Sequence, residues 1–289
     1  DVFLVGGVES MSQVPLLFNE GAAKKFGRLA KAKSFGSRME SMLNFRARDF
    51  RPVPALLKGL TDPTCEMGMG ETAEILAREF SISRVRQDKF ALRSHRRAIL
   101  ARPRLEEETG PAFGNGYRPL LFDNGPREDT SLKALSRLRP IFARKRGTVT
   151  AGNASQVTDG AVALLVASER ACKEHGLEPL GRLTDWAYAG CDPKRMGLGP
   201  VHAIAKAESL GGPSLKDADL IELNEAFAVQ SLAVSEASSS TRFCREVLKR
   251  DKALGEFPEE ITNVNGGAIA LGHPVGATGA RLVLTALYE

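Results

Sequence analysis

Near its C-terminus the chain reads NVNGGAIALGHPVGATGARLV (263–283), five glycines and a proline crowding around His273. A histidine between Gly272 and Pro274, with Gly276 close by, sits on backbone that can turn sharply and approach a ligand. A neutral imidazole placed there can take a proton from a nucleophile or donate to a developing oxyanion. The same residues also suit a histidine buried in a glycine turn. In LNEAFA (223–228), Asn224 and Glu225 fall where a strand is expected to give way to a helix, the usual position of active-site groups in α/β proteins. Asn224 could hold a water or a carbonyl oxygen, or cap the helix. In GTVTAGNASQVTDGA (147–161), small residues around Asn153, Ser155 and Asp159 suit the approach of an extended ligand, or a Ser/Asn-rich turn.

The elements that must carry these residues follow from periodicity. VFLVGG, at the start, reads as a buried strand feeding a loop, and GAVALLVASE (160–169) as a central strand covered on both faces. From Thr72 to about Ala101 apolar residues recur at helical spacing, with a break at SISR and Ser83 as N-cap of the second helix. The Gly- and Pro-rich stretch 110–126 reads as loop. ERACKEHGLEP is a helix stopped at Gly176 with His175 in its last turn. DLIELNEAFAVQSLAV (219–234) is expected to pass from strand to helix, and ITNVNGGAIA (261–270) from strand to glycine-rich loop. Residues 238–260 read as a surface excursion. Strands alternating with helices indicate an α/β layer architecture.

Composition bounds the function. The chain has 289 residues, 43% hydrophobic and 26% charged, as in a folded protein. No apolar run reaches the length of a membrane span. The net charge of +5 raises the question of nucleic acid. Basic residues in RSHRRAILARPR (93–104) and FARKRG (142–147) lack the interleaved aromatics of a stacking surface, so nucleic acid is not expected. A solvated helix face, or a rim for an anionic small molecule, fits them better. Cys65, Cys172, Cys191 and Cys244 match no metal or disulfide spacing and fit a reducing compartment.

Four motifs, GGVESMS (6–12), GTVTAGNAS (147–155), NEAFA (224–228) and NGGAIALGHPVGATGAR (265–281), resemble the thiolase family, in that order and across nearly the whole chain. The resemblance implies a layered αβαβα fold of two similar halves with an inserted loop domain. Residues 1–12 would end an N-terminal half that is mostly missing, 13–147 would be loop domain with CoA-binding elements, and 148–289 a C-terminal half incomplete at its end. Both termini read as cut from a longer protein. The implied activity is reversible Claisen chemistry, a 3-ketoacyl-CoA plus CoA giving acetyl-CoA and a shortened acyl-CoA.

By the same resemblance, His273 activates a nucleophilic cysteine and contributes to an oxyanion hole, and Asn224 positions the water completing it. Ser155 would bond the pantetheine arm and Arg127 meet the nucleotide end. Phe142 and Phe227 would line the channel, Met69 and Met196 the acyl end. His95, His175 and His202 match nothing catalytic. CoA is a substrate; no metal and no permanently bound cofactor is implied. The two cysteines of the family chemistry are expected upstream of GGVESMS and downstream of the GHPVGATGAR helix. None of the four cysteines present has matching surroundings, so residues 1–289 alone are expected to be inactive. A non-catalytic CoA- or acyl-CoA-binding fragment or partner subunit is the alternative. Homodimers or homotetramers, in a bacterial cytoplasm or an organellar matrix, complete the implied picture, and the charged stretch 238–260 leans toward degradative thiolases.

Overall fold

The computed structural model describes residues 1–113, 119–143 and 145–289. Parts of the expected loop 110–126 and of the basic stretch 142–147 lie outside the described residues. The chain forms two compact units, one of residues 1–10 with 69–289 and one of residues 11–68.

In the larger unit, strand β1 (Val2–Ser10) pairs antiparallel with β2 (Asp159–Ala167) over its full length, from Val2 opposite Ala167 to Ser10 opposite Asp159. Both strands were expected to be buried. Instead, helix α11 (Val275–Tyr288) packs across the pair on one face, while Phe3, Leu4, Val8 and Leu165 are exposed. Glycines set how closely the helix approaches. A Cβ on Gly7 would overlap the carbonyl of Gly276, and one on Gly160 would meet the Pro274 ring at 2.7 Å. Gly7 of β1 and Gly160 of β2 thus let the segment that follows His273 sit directly on the sheet.

The core lies between helices. α3 (Met69–Glu79) and α4 (Arg84–Leu100) are separated by a turn in which Ser81 has φ 52°, and the Ser83 hydroxyl accepts from Arg86 N at 3.3 Å, as an N-cap. α5 (Arg102–Glu108) follows after Ala101. α6 (Glu169–His175) ends at Gly176, φ 63°, so the expected stop is the observed one. α7 (Gly199–Ser209) and α8 (Ala228–Ser239) complete the main cluster, in which Leu76, Leu198, Val201, Val229 and Val234 are buried. The expected surface excursion is partly core. α9 (Thr241–Glu246) buries Phe243 and Cys244, with Phe243 6.1 Å from the Phe80 ring, and Leu254 is enclosed as well.

The strands expected to open the segments 219–234 and 261–270 are absent. Ile221 and Thr262 share one isolated parallel bridge, and Asn263 then turns to φ 49°. The Asn263 side chain replaces the ladder, its Oδ1 accepting from Leu223 N and its Nδ2 donating to Leu223 O, each at 2.8 Å. An asparagine can serve a neighbouring peptide in this way and tolerates left-handed backbone, so the extended pairing stops after one bridge.

In the smaller unit, α1 (Glu20–Lys31), capped by Asn19, and α2 (Phe35–Leu43), capped by Ser34, stand beside a cluster of Phe18, Phe26, Phe45 and Phe50. Lys25 and Asp49 pair at 2.6 Å. This unit holds ten Lys or Arg against five Asp or Glu, the whole formal excess of the chain. Among the described residues no helix is long and apolar enough to cross a membrane.

Candidate active site

Asn224 and His273 meet. The short helix α10 (Ala268–Leu271) ends at Gly272, φ 98°, which throws His273 back toward the 223–228 segment. Asn224 Nδ2 lies 3.3 Å from His273 Nε2. On the other side, His273 Nδ1 lies 2.7 Å from Thr278 Oγ1, whose hydroxyl donates to Pro274 O at 3.0 Å. With its proton committed to Pro274, the Thr278 oxygen accepts, so Nδ1 carries the imidazole hydrogen. Nε2 then presents a lone pair toward Asn224. Burial, and secondly the Arg281 guanidinium, hold the His273 imidazolium below its ordinary pKa. The ring is therefore neutral near pH 7. Asn224 is not a helix cap, because Phe227 occupies that position of α8.

Glu225, beside Asn224, is pinned away from the ring. It accepts from Ser94 Oγ at 2.5 Å, Asn263 Nδ2 at 2.9 Å and Ile269 N at 3.4 Å. Burial raises its pKa against those donors. Its role is to tie α4, the Asn224 segment and α10 into one block. Arg97 of α4 adds to that block, donating to the carbonyls of Glu259, Thr262 and Asn263 at 2.6, 2.7 and 3.3 Å. The basic face expected to be solvated is thus partly engaged, and Arg93 also pairs with Glu259.

The remaining predicted residues gather around this centre to different degrees. The backbone N–H of Ser155 donates to Ala226 O at 2.9 Å, which lays the 153–155 loop along the Asn224 segment. Its neighbour Gln156 donates through Nε2 to the carbonyls of Gly125, Ile269 and Ala270 at 3.1, 3.3 and 3.2 Å. That single amide joins the loop leading to Arg127, the Ser155 loop and α10. Arg127 itself donates its backbone N–H to His95 Nδ1 at 3.2 Å. His95 is buried, and burial and then the Arg127 charge keep it neutral. Asn153 is structural, its Nδ2 donating to Asp88 Oδ1 and Thr148 O at 3.0 and 3.1 Å. Phe142 and Phe227 meet edge to face at 6.3 Å. The Phe142 ring lies on the backbone of Gly70, next to Met69, where a Cβ would overlap it. Met196 is half-exposed on the turn Pro193–Leu198, which packs against α3 and α8.

The sequence reading missed Thr278, Asn263, Ser94, Gln156 and Glu74. Buried Glu74 accepts from Thr148 N and Val149 N at 2.8 and 2.9 Å, holding the start of the Ser155 loop. Only Thr278 left a signal, one helical turn after Pro274. Among the described residues no cysteine sulfur bonds to His273 and no cluster of ligands could hold a metal.

Comparison with known proteins places this arrangement. Residues 1–170 match the family model described as thiolase, N-terminal domain, and residues 177–289 the one described as thiolase, C-terminal domain. The chain is 41% identical over 294 residues to a 3-ketoacyl-CoA thiolase of Escherichia coli O81 (strain ED1a), covering 99% of this chain and 66% of that one. Its fold superposes on the crystal structure of human mitochondrial 3-ketoacyl-CoA thiolase in complex with CoA, with a TM-score of 0.78 and 39% identity, over 100% of this chain and 64% of that one. It likewise superposes on an acetyl-CoA acetyltransferase from Syntrophomonas wolfei, with a TM-score of 0.79 and 34% identity, over 100% and 65% of the two chains. The chain spans about two thirds of the length of these relatives. The expectation that the N-terminal half is mostly missing is not borne out, because the N-terminal model runs from residue 1 to 170 and includes both strands of the β1–β2 pair. With both domain models matched in order and the His273–Asn224 contact formed between two of the quoted motifs, the chain belongs to the thiolase family.

Proposed function

We propose that the protein is a CoA-dependent acyltransferase, which cleaves 3-ketoacyl-CoA with CoA or runs the reverse condensation. The observation that carries this reading is the neutral, Thr278-oriented imidazole whose Nε2 faces the Asn224 amide. A thiol that becomes a nucleophile must lose its proton, and an Nε2 lone pair is positioned to take it. Once protonated, the same nitrogen donates to the oxyanion formed when the thiolate adds to the 3-keto carbonyl of the substrate, while the Asn224 amide holds a water at that oxygen. Collapse of that tetrahedral species breaks the bond between C2 and C3, leaves the acyl group as a thioester on the attacking sulfur and expels the acetyl-CoA enolate, which takes up a proton. The CoA thiol then adds to that thioester, carries off the acyl group and frees the first sulfur as a thiol. In this reading His273 is the base and, with the water held by Asn224, the oxyanion donor.

Ser155 is the proposed partner of the pantetheine arm, Arg127 of the nucleotide end, Phe142 and Phe227 of the channel, and Met69 and Met196 of the acyl end. CoA acts as a substrate, and the working form is a homodimer or homotetramer. The test is thiolysis of acetoacetyl-CoA and of a longer 3-ketoacyl-CoA by the intact protein. His273→Ala and Asn224→Ala are each expected to lower kcat by about 10²–10³-fold, as for removal of an oxyanion-hole donor. CoA binding without turnover of either substrate would overturn the acyltransferase reading and leave a binding protein.

A further inference from the structure

The segments that bring Asn224 and His273 together share a second, charged contact. Glu222 stands two residues before Asn224, and Arg281 lies on α11, eight residues after His273. Glu222 Oε2 is 3.8 Å from Arg281 Nη1, and the two side chains are only 4% and 14% exposed. Neither oxygen of Glu222 and none of the three Arg281 nitrogens has a hydrogen-bond partner among the described residues. The hydrogen bonds of the Asn224 segment to Asn263 and Ile269 fall before α11 begins. Buried ion pairs of this kind are weak contributors to stability, and well-packed apolar replacements often match or exceed them. Such a pair beside a reaction centre calls for a different account.

We propose that Glu222 and Arg281 are positioning residues, a clasp that locks the Asn224 segment onto α11 and sets both the amide–imidazole contact and the charge behind His273. The proposal rests on reading the site as an acyl-transfer centre. Arg281 is the cation acting on His273, and the groups bonded to the ring, Asn224 and Thr278, are uncharged. From β1, Glu9 accepts from Gly276 N at 3.3 Å in the first turn of α11. Around the pair stand Glu108 of α5, Asp123, Glu225 and Glu289. One guanidinium therefore serves several buried carboxyls. Burial, offset in part by Arg281, pushes Glu222 up to about 7, so the clasp itself changes charge near neutrality.

The test follows the His273 ring proton by NMR titration of the intact protein, assigned with His273→Asn, together with thiolysis kinetics. The unmodified imidazole is expected to titrate below about 6.5. The double variant E222L/R281L removes both charges while keeping an apolar filling, and is expected to fold. Its His273 midpoint is expected to rise by about one pH unit, with kcat falling about tenfold or more at little change in KM. Glu222→Gln, which removes only the carboxylate charge, is expected to move the midpoint little, because Glu222, pushed up to about 7, is already largely protonated where His273 titrates. Arg281→Lys, which keeps a cation, is expected to restore most of the unmodified titration. A double variant that titrates and turns over like the parent overturns the proposal, and so does a shifted midpoint with unchanged kcat. A parent midpoint at or above about 6.5 overturns it whether or not any variant folds. If titrations shift as expected but the parent has no thiolysis activity, the acyl-transfer reading fails while the clasp on His273 stands.

Discussion

At the scale of single residues, the site is organised by what each group is prevented from doing. Thr278 gives its proton to Pro274 and so leaves the His273 Nδ1 hydrogen in place. The His273 pKa is depressed, chiefly by burial, so the imidazole stays neutral until the pH drops below its ordinary range. A kcat/KM profile is therefore expected to hold through pH 6.5 and to fall only below it, with an apparent acid-limb pKa under that of a free imidazole. Glu222 has the opposite sign. A carboxyl with a folded pKa of about 7 against 4.5 unfolded binds its proton more tightly when folded. Its contribution to stability is thus complete below pH 4.5 and is lost as pH rises toward 7. Thermal melts are expected to show E222Q gaining on the parent as pH rises across that window. His273 and Asn224 were legible in the sequence because glycines and an NEAFA motif announce backbone built around them. Arg281 and Glu222 were not, because a buried arginine and a buried glutamate look in sequence like any solvated pair.

At the scale of elements, connection by side chains replaces connection by strands. The helices were legible from their 3.6-residue period, and Ser83 and Gly176 marked their ends as read. The strands expected to open 219–234 and 261–270 were misread because an apolar run before a polar motif looks the same whether a ladder or an asparagine satisfies its peptides. Asn263 satisfies both polar groups of Leu223, so Asn263→Ala leaves them unpaired in a buried place. Urea unfolding is expected to show a loss of about 2–6 kcal/mol, for two buried groups left unpaired. Thr278→Val keeps the helix and its volume but removes the oxygen that fixes the tautomer. We expect kcat to drop about tenfold or more with little change in melting temperature, and Thr278→Ser to retain most activity.

At the scale of the whole molecule, the two units differ in how much they bury. Residues 11–68 enclose few side chains, Met11, Ala22 and Asp49 among them, and rest on a partly exposed phenylalanine cluster. The other unit encloses α8, α10 and much of α4. Hydrogen exchange is expected to be faster in α1 and α2 than in α4 and α8, since local opening costs least where few apolar contacts are lost. Equal protection would mean that the smaller unit is held by more than its own packing. Composition indicated a folded protein with an excess of basic residues, but not that the excess belongs to one unit, because charge totals carry no position.

The seating of α11 on the sheet has a consequence for which substitutions can persist. Any side chain at Gly7 pushes against the Gly276 carbonyl, and the rigid helix passes that displacement to the residues just ahead of it. Tolerance at Gly7 is therefore governed by the chemistry at His273, three residues before the carbonyl it would strike. In a survey of functional variants, its spectrum of accepted residues is expected to be as narrow as that of His273, while exposed Val8 beside it varies freely.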